Sequence, residues 1–264
     1  MIGNKRLFSI YECKECNKNF GCSCEDSFGK YILPFKIVSE VFGRNKTMCH
    51  SEQFGEIRMN NSEPIMPHFN NSTKNLIKET KQGELLTMTD DGFKLRLKRK
   101  RYTPEWIYFS LLKMALGIMP FELINKYVYA LATLKVVINN KSERDKILNL
   151  YVIPGVIEFI PGKMCFAEIN LELFKRKPTA PDEYPLCYFC LNFGHYSLQI
   201  PLQEDFQRNG KKIKLCAYQH FLNSNIEVND FHTVEEEFIC EFSADKKDLS
   251  KEEIMKLNNI KNLF

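Results

Sequence analysis

No stretch of this sequence is long and apolar enough to cross a bilayer. The residues from Trp106 to Leu134 come nearest, but Lys113, Glu122 and Lys126 interrupt them, and a span needs roughly 18–20 consecutive apolar residues. A buried helical pair accounts for them better. The start, MIGNKRLFSIYE, is basic but reaches Ser9 and Glu12 after a short apolar run, so it lacks the pattern of a secretory leader. The expectation is a cytoplasmic protein with no membrane contact. There is no glycine-rich phosphate loop, no G-x-S-x-G and no H-E-x-x-H, which removes the usual sequence support for P-loop hydrolysis, α/β-hydrolase chemistry and zinc proteolysis. Internal repeats and low-complexity tracts are also missing. Neither sign of charge dominates: 37 Lys and Arg face 33 Asp and Glu, a net charge of +4. A general affinity for polyanions is permitted by that balance but not demanded.

What the chain does have is apolar material. It is 44% hydrophobic and 12% aromatic over 264 residues, enough to bury one large core or two modest ones. From about Asn17 to Phe42, Phe28, Ile32, Phe35, Val38 and Phe42 recur at steps of three and four, which predicts a helix that Pro34 kinks or splits. Residues 44–81 are rich in Asn, Ser, Thr and Pro and only weakly periodic, as in a linker or irregular segment. Thus 1–43 reads as a small module and 82–264 as a larger domain. Within the latter, GELLTMT and FKLRLKRKRY flank Asp91-Gly92 as a hairpin. Thr103-Pro104 opens a helix towards Gly117, and Pro120 starts a second. MCFAEINLELF, YPLCYFCLNF, HYSLQIPL, KIKLCAYQHF and EEEFICEF then read as an antiparallel meander, and Ser250 to Glu253 as a capping box opening a short helix. Helices followed by strands predict an α+β fold.

The ten cysteines are scattered rather than laid out as a disulfide framework, so reduced thiols or metal ligands are the default. Four of them, Cys13, Cys16, Cys22 and Cys24, crowd the start of the chain. Cys13 and Cys16 have the two-residue spacing that lets both thiolates meet one zinc ion, but a structural site needs four ligands. Cys22 and Cys24 could complete it locally. On a helix, however, they sit about 200° apart around the axis, and small buried thiols are the simpler reading. Cys49 and His50 are another possible completion.

The stretch GNKRLFSIYECKECNKNFG resembles the HNH endonuclease family, in the variants whose ββα-metal motif is held by two C-x-x-C pairs. Gly3-Asn4 is similar to the family's G-N element, Cys13 and Cys16 to its second cysteine pair, and Asn17 to the position directly after that pair. The resemblance implies that Cys13 and Cys16 are two of four structural zinc ligands and that Asn4 fixes the loop. It also implies that Asn17, on the first helical turn, helps hold a catalytic divalent ion such as magnesium, with DNA as substrate. A histidine ahead of the pair would activate water. The five histidines here are His50, His68, His195, His220 and His232, all beyond the motif, and the first cysteine pair is likewise unmatched. The expectation is therefore a truncated HNH-like module, from an internal start or from decay, followed by a helical pair and a β meander, and weakly active or inactive as given. The competing class is a non-catalytic nucleic-acid- or protein-binding module carrying a relic zinc motif.

Three further constellations carry readings of their own. Lys94, Arg96, Lys98, Arg99, Lys100 and Arg101 form the densest basic cluster, with no acid among them. They suit either successive phosphates of DNA or the solvated edge of a sheet. Cys187, Cys190 and His195 match three ligands of a C-x2-C-x4-H-x4-C zinc knuckle, but Ile200 stands at the fourth, and a core hairpin explains the same residues. The acidic groups Asp90-Asp91 and Glu235 to Glu237 read as solvated charge.

Overall fold

The computed structural model describes residues 14–39, 50–51, 55–60, 66–69, 86–88, 92–139, 152–160, 165–204, 213–222, 224–243, 251 and 262–263. Helices and antiparallel sheets combine in an α+β fold, and every described strand pair is antiparallel. No helix among these residues is long and apolar enough to cross a membrane.

Helix α1 (Lys14–Phe20) runs through a π turn at Gly21–Glu25 into α2 (Asp26–Val38). Phe20, Cys24, Phe28, Tyr31, Ile32 and Phe35 recur at steps of three and four and are all buried, the stripe that an amphipathic helix turns to a core. Pro34 does not split the helix, which continues to Val38. Those residues share one hydrophobic core with the helices and strands beyond residue 92.

The presumed linker carries three short strands, β1 (His50–Ser51), β2 (Gly55–Asn60) and β3 (Met66–Phe69), paired in that order. Strands this short can be joined by backbone hydrogen bonds without the apolar alternation that marks a half-buried strand. Next comes the expected hairpin, β4 (Leu86–Met88) and β5 (Gly92–Lys98). Helix α3 (Pro104–Ile118) follows, then α4 (Phe121–Ile124), a 3-10 turn (Asn125–Tyr127) and α5 (Val128–Asn139). Thr103 occupies the N-cap position before Pro104, although its hydroxyl makes no capping bond. Its N–H donates instead to Ser27 Oγ at 2.6 Å, tying α3 to α2.

The main sheet contains β6 (Gly155–Phe159), β7 (Phe166–Lys175), β8 (Cys187–Gly194), β9 (Tyr196–Leu202) and β10 (Asn225–Asn229), in the order β10-β6-β9-β8-β7. Three of the predicted meander segments are here. The other two are not: KIKLCAYQHF forms no strand, and EEEFICEF supplies β11 (Glu237–Ser243), which pairs with β5. The predicted helix from Ser250 falls largely outside the described residues. Alternation gives the main sheet two unlike faces. Ile157, Leu171, Leu173, Phe189, Leu191, Leu198 and Ile200 belong to the core, whereas Glu158, Glu172, Cys190, Asn192, Ser197 and Gln199 share the opposite face by register.

Between β8 and β9 the turn closes on Gly194, whose φ of +57° favours glycine. A Cβ there would also collide with Ser39, whose Oγ accepts the His195 N–H at 3.2 Å. The end of α2 is thereby fixed against the hairpin turn.

Arg99 fastens the elements at the centre. Its Nη1 donates to the Tyr31 carbonyl at 2.7 Å, its Nη2 pairs with Glu235 at 2.8 Å, and its guanidinium lies about 5 Å from the rings of Tyr31, Phe35 and Phe238. The side chain is only 3% exposed. Removing it leaves Glu235 and a carbonyl without their cation and opens the aromatic cage. Arg99→Ala should therefore cost about 2–4 kcal/mol in urea denaturation, whereas exposed Arg101→Ala should stay within about 0.5 kcal/mol.

Candidate functional site

Of the residues carried by the amino-terminal resemblance, Asn4 and Cys13 lie outside the described residues. Cys16 and Asn17 stand on the first turn of α1, half-buried. Cys22 is exposed while Cys24 is buried in the core, so these two do not converge on a common ion. Cys49 is outside the described residues. Among the described residues, no group of three or more His, Cys, Asp and Glu side chains is arranged to hold a metal.

Asn17 nonetheless faces a positive charge. Lys113 reaches over from α3, and its Nζ donates to Asn17 Oδ1 at 3.2 Å and to Glu25 Oε1 at 2.9 Å, while lying 4.2 Å from the Phe20 ring centre. The ion pair is mostly buried, at 18% and 20% exposure. An ammonium therefore occupies the space in front of the Asn17 carboxamide.

The basic cluster divides. Arg99 is spent inside the core, as above. Arg96 lies 3.6 Å from Glu237 with both side chains about half exposed, a pair of small energetic value. Lys94 and Lys98 sit opposite Glu241 and Glu237 in register on β11. Lys100 and Arg101 are exposed just beyond the strand. Local sequence carries no sign of this division, because β11 comes from about 140 residues further along.

Cys187, Cys190 and His195 belong to a hairpin. Three residues apart on β8, the two cysteines fall on opposite faces of the sheet, with Cys187 in the apolar core. His195 is buried with its Nδ1 3.0 Å from the Ile160 carbonyl oxygen, and burial lowers its pKa. These residues do not form a knuckle.

Sequence reading missed a polar cluster on the far face of the main sheet. The extended segment Cys216–Phe221 lies across this face and is held by side chains rather than by a backbone ladder. The Gln199 carboxamide accepts the Tyr218 N–H at 2.9 Å and donates to the Tyr218 carbonyl at 2.7 Å, serving as a surrogate strand neighbour. Tyr188 Oη donates to the Cys216 carbonyl, and Tyr218 stacks on Phe174 at 3.8 Å. This delivers His220 between two carboxylates. Its Nδ1 lies 2.9 Å from Glu158 Oε2 and its Nε2 3.1 Å from Glu172 Oε2.

Glu158 is completely buried. Besides the imidazole it accepts the His220 N–H at 2.8 Å, the Phe221 N–H at 3.4 Å and Gln199 Nε2 at 2.9 Å. A buried carboxylate survives only when donors replace its water in this way. Glu172 is one-third exposed and also accepts Asn192 Nδ2 at 2.6 Å. Asn192 is fully buried, and its Oδ1 has no hydrogen-bond partner. Because an ionised carboxylate only accepts, the two contacts to His220 require a proton on each ring nitrogen. Burial works against the charged ring, but hydrogen bonds and charge from Glu158 and Glu172 outweigh it and raise the pKa above 6.5. What could have been read from sequence is a glutamate in the apolar run GVIEFI, where a charged side chain must find a partner.

No protein-family model, no curated protein and no solved structure matches this chain. The site must be read from its own chemistry.

Linkage sets the sign of its pH dependence. Since the folded pKa of His220 is raised, the stability it contributes is complete below about 6.5 and is lost as pH rises through the folded value. In the presence of a chelator, the stability advantage of the wild type over His220→Gln should shrink from about pH 6.5 upward. Guanidinium denaturation of both proteins across that range checks it; an advantage that grows with pH contradicts the assignment.

Proposed function

We propose that this chain is an HNH-endonuclease-like protein in which the helix of the ββα-metal motif has become structural, so that residues 1–264 alone do not cut DNA. The observation that carries the reading is the Lys113 ammonium against Asn17. Helix α1 begins directly after Cys13 and sets Cys16 and Asn17 on its first turn, the arrangement that the resemblance requires. Asn17 offers its carboxamide oxygen to a cation, as a metal-holding asparagine does, but here the cation is a lysine of the same chain.

A divalent ion at this position must displace Lys113 from both Asn17 and Glu25, and the described residues offer no third donor of the His, Cys, Asp or Glu class to assist. By the resemblance, Cys13 and Cys16 would be two of the four ligands of a structural zinc ion, which would supply folding energy rather than chemistry. No histidine precedes the cysteine pair in this sequence to activate water. The same lysine contact favours the second reading, a binding module with a relic motif. Arg99 is committed to Glu235 and Arg96 faces Glu237, so any DNA contact would draw on the rest of the basic run, with exposed Arg101 the first candidate.

The test is nicking of supercoiled plasmid by purified 1–264 with magnesium or manganese. No metal-dependent nicking is expected, from the wild type or from Lys113→Ala. Nicking by the wild type that Asn17→Ala abolishes would overturn the proposal.

A further inference from the structure

We propose that His220, Glu172 and Asn192 form a site for a divalent first-row metal ion, of the zinc or cobalt kind, with Glu158 as the carboxylate that orients the histidine from behind. The site lies on the polar face of the main sheet, is built from different residues than the amino-terminal cysteine pair, and does not depend on the nuclease reading.

Three observations carry it. First, the three side chains already form a triangle of ligand-site size, with Asn192 Nδ2 at the vertex that its Oδ1 would take after rotation. His220 Nε2 and Glu172 Oε2 are 3.1 Å apart, the Asn192 amide end is 2.6 Å from that oxygen, and it is 3.4 Å from Nε2. Ligands about 2.1 Å from a zinc-type ion stand roughly 3.0–3.4 Å apart at octahedral or tetrahedral angles. Two edges fit already, and the third is a hydrogen bond that lengthens once an ion takes the place of the proton.

Second, Glu158 has the relation to His220 that a metal-bound histidine requires. It takes the Nδ1 proton at 2.9 Å, which fixes the ring and leaves Nε2 as the atom directed at the triangle. A carboxylate on the other ring nitrogen is the common backing of a metal-ligating histidine. Glu158 is itself immobilised by two backbone N–H groups and by Gln199, so the ring cannot drift.

Third, Asn192 is buried with its Oδ1 unbonded. A half turn about Cβ–Cγ exchanges the two ends of the amide without change of shape and presents oxygen to the triangle. The turn gives up the bond to Glu172, and the ion replaces it. The donor set is then one imidazole nitrogen, one carboxylate and one carboxamide oxygen, which suits a borderline ion better than calcium or a thiolate-seeking one. Glu172, one-third exposed, provides the path of entry and leaves the remaining positions to water.

The experiment is a titration of chelator-treated 1–264, as the Cys13→Ser/Cys16→Ser double variant, with cobalt(II) alone. We expect one ion per chain with ligand-field absorption and no thiolate-to-cobalt charge-transfer band. Glu172→Gln and Asn192→Leu should each weaken binding by at least tenfold, and Glu158→Gln by about 10–100-fold, with circular dichroism verifying that each variant is folded. Absence of bound cobalt in the double variant, a thiolate band, or binding indifferent to Glu172→Gln and Asn192→Leu would each overturn the site. None of these outcomes bears on plasmid nicking, so the two proposals fail separately.

Discussion

A guanidinium among three aromatic rings holds this fold together. Arg99 leaves the end of β5 and enters the space between α2 and β11, where a carbonyl, a carboxylate and the faces of Tyr31, Phe35 and Phe238 receive it. Phe35 in turn meets Tyr196 of the main sheet edge-on at 4.6 Å. One cation thus links the amino-terminal helix, the small sheet and the large one. Buried charge of this kind demands its partners, and here they come from two distant parts of the sequence, Tyr31 and Phe35 on α2 and Glu235 and Phe238 at β11. The helix that opens the described chain is consequently placed by residues more than sixty positions downstream.

The same logic governs the far face of the main sheet. An apolar face on the core side leaves a polar face that water or a covering segment must satisfy. Here the cover is Cys216–Phe221, and its attachment brings His220 to two glutamates. A charge triad of two carboxylates and one imidazolium carries a net negative charge, which suits either a proton or a metal ion at its centre.

Local pattern made part of this legible. The apolar positions Phe28, Ile32 and Phe35, the pairing of the segments on either side of Asp91-Gly92, the Thr103-Pro104 helix start and the strands at residues 166–175, 187–194 and 196–202 depend on neighbours in sequence, and the structure contains them. The strands β6 and β10 escaped because each is five residues long, and β10 is mostly exposed. KIKLCAYQHF looked like a strand because its composition is that of one, yet from Cys216 to Phe221 side chains rather than a backbone ladder hold it. The basic run around Arg99 could not be divided by inspection, because the glutamates that divide it arrive on β11. Asn17 was singled out for its place after a cysteine pair, but the lysine that meets it lies 96 positions away.

The surrogate pairing by Gln199 separates two levels of cooperativity. Strands in a ladder come apart together, since each backbone bond supports the next. A segment clipped on by the side chains of Gln199, Tyr188 and Glu158 can lift while β8 and β9 stay zipped, forming an opening unit of its own. Amide protons under that clip therefore report a local equilibrium, distinct from the global unfolding that exposes the hairpin beneath.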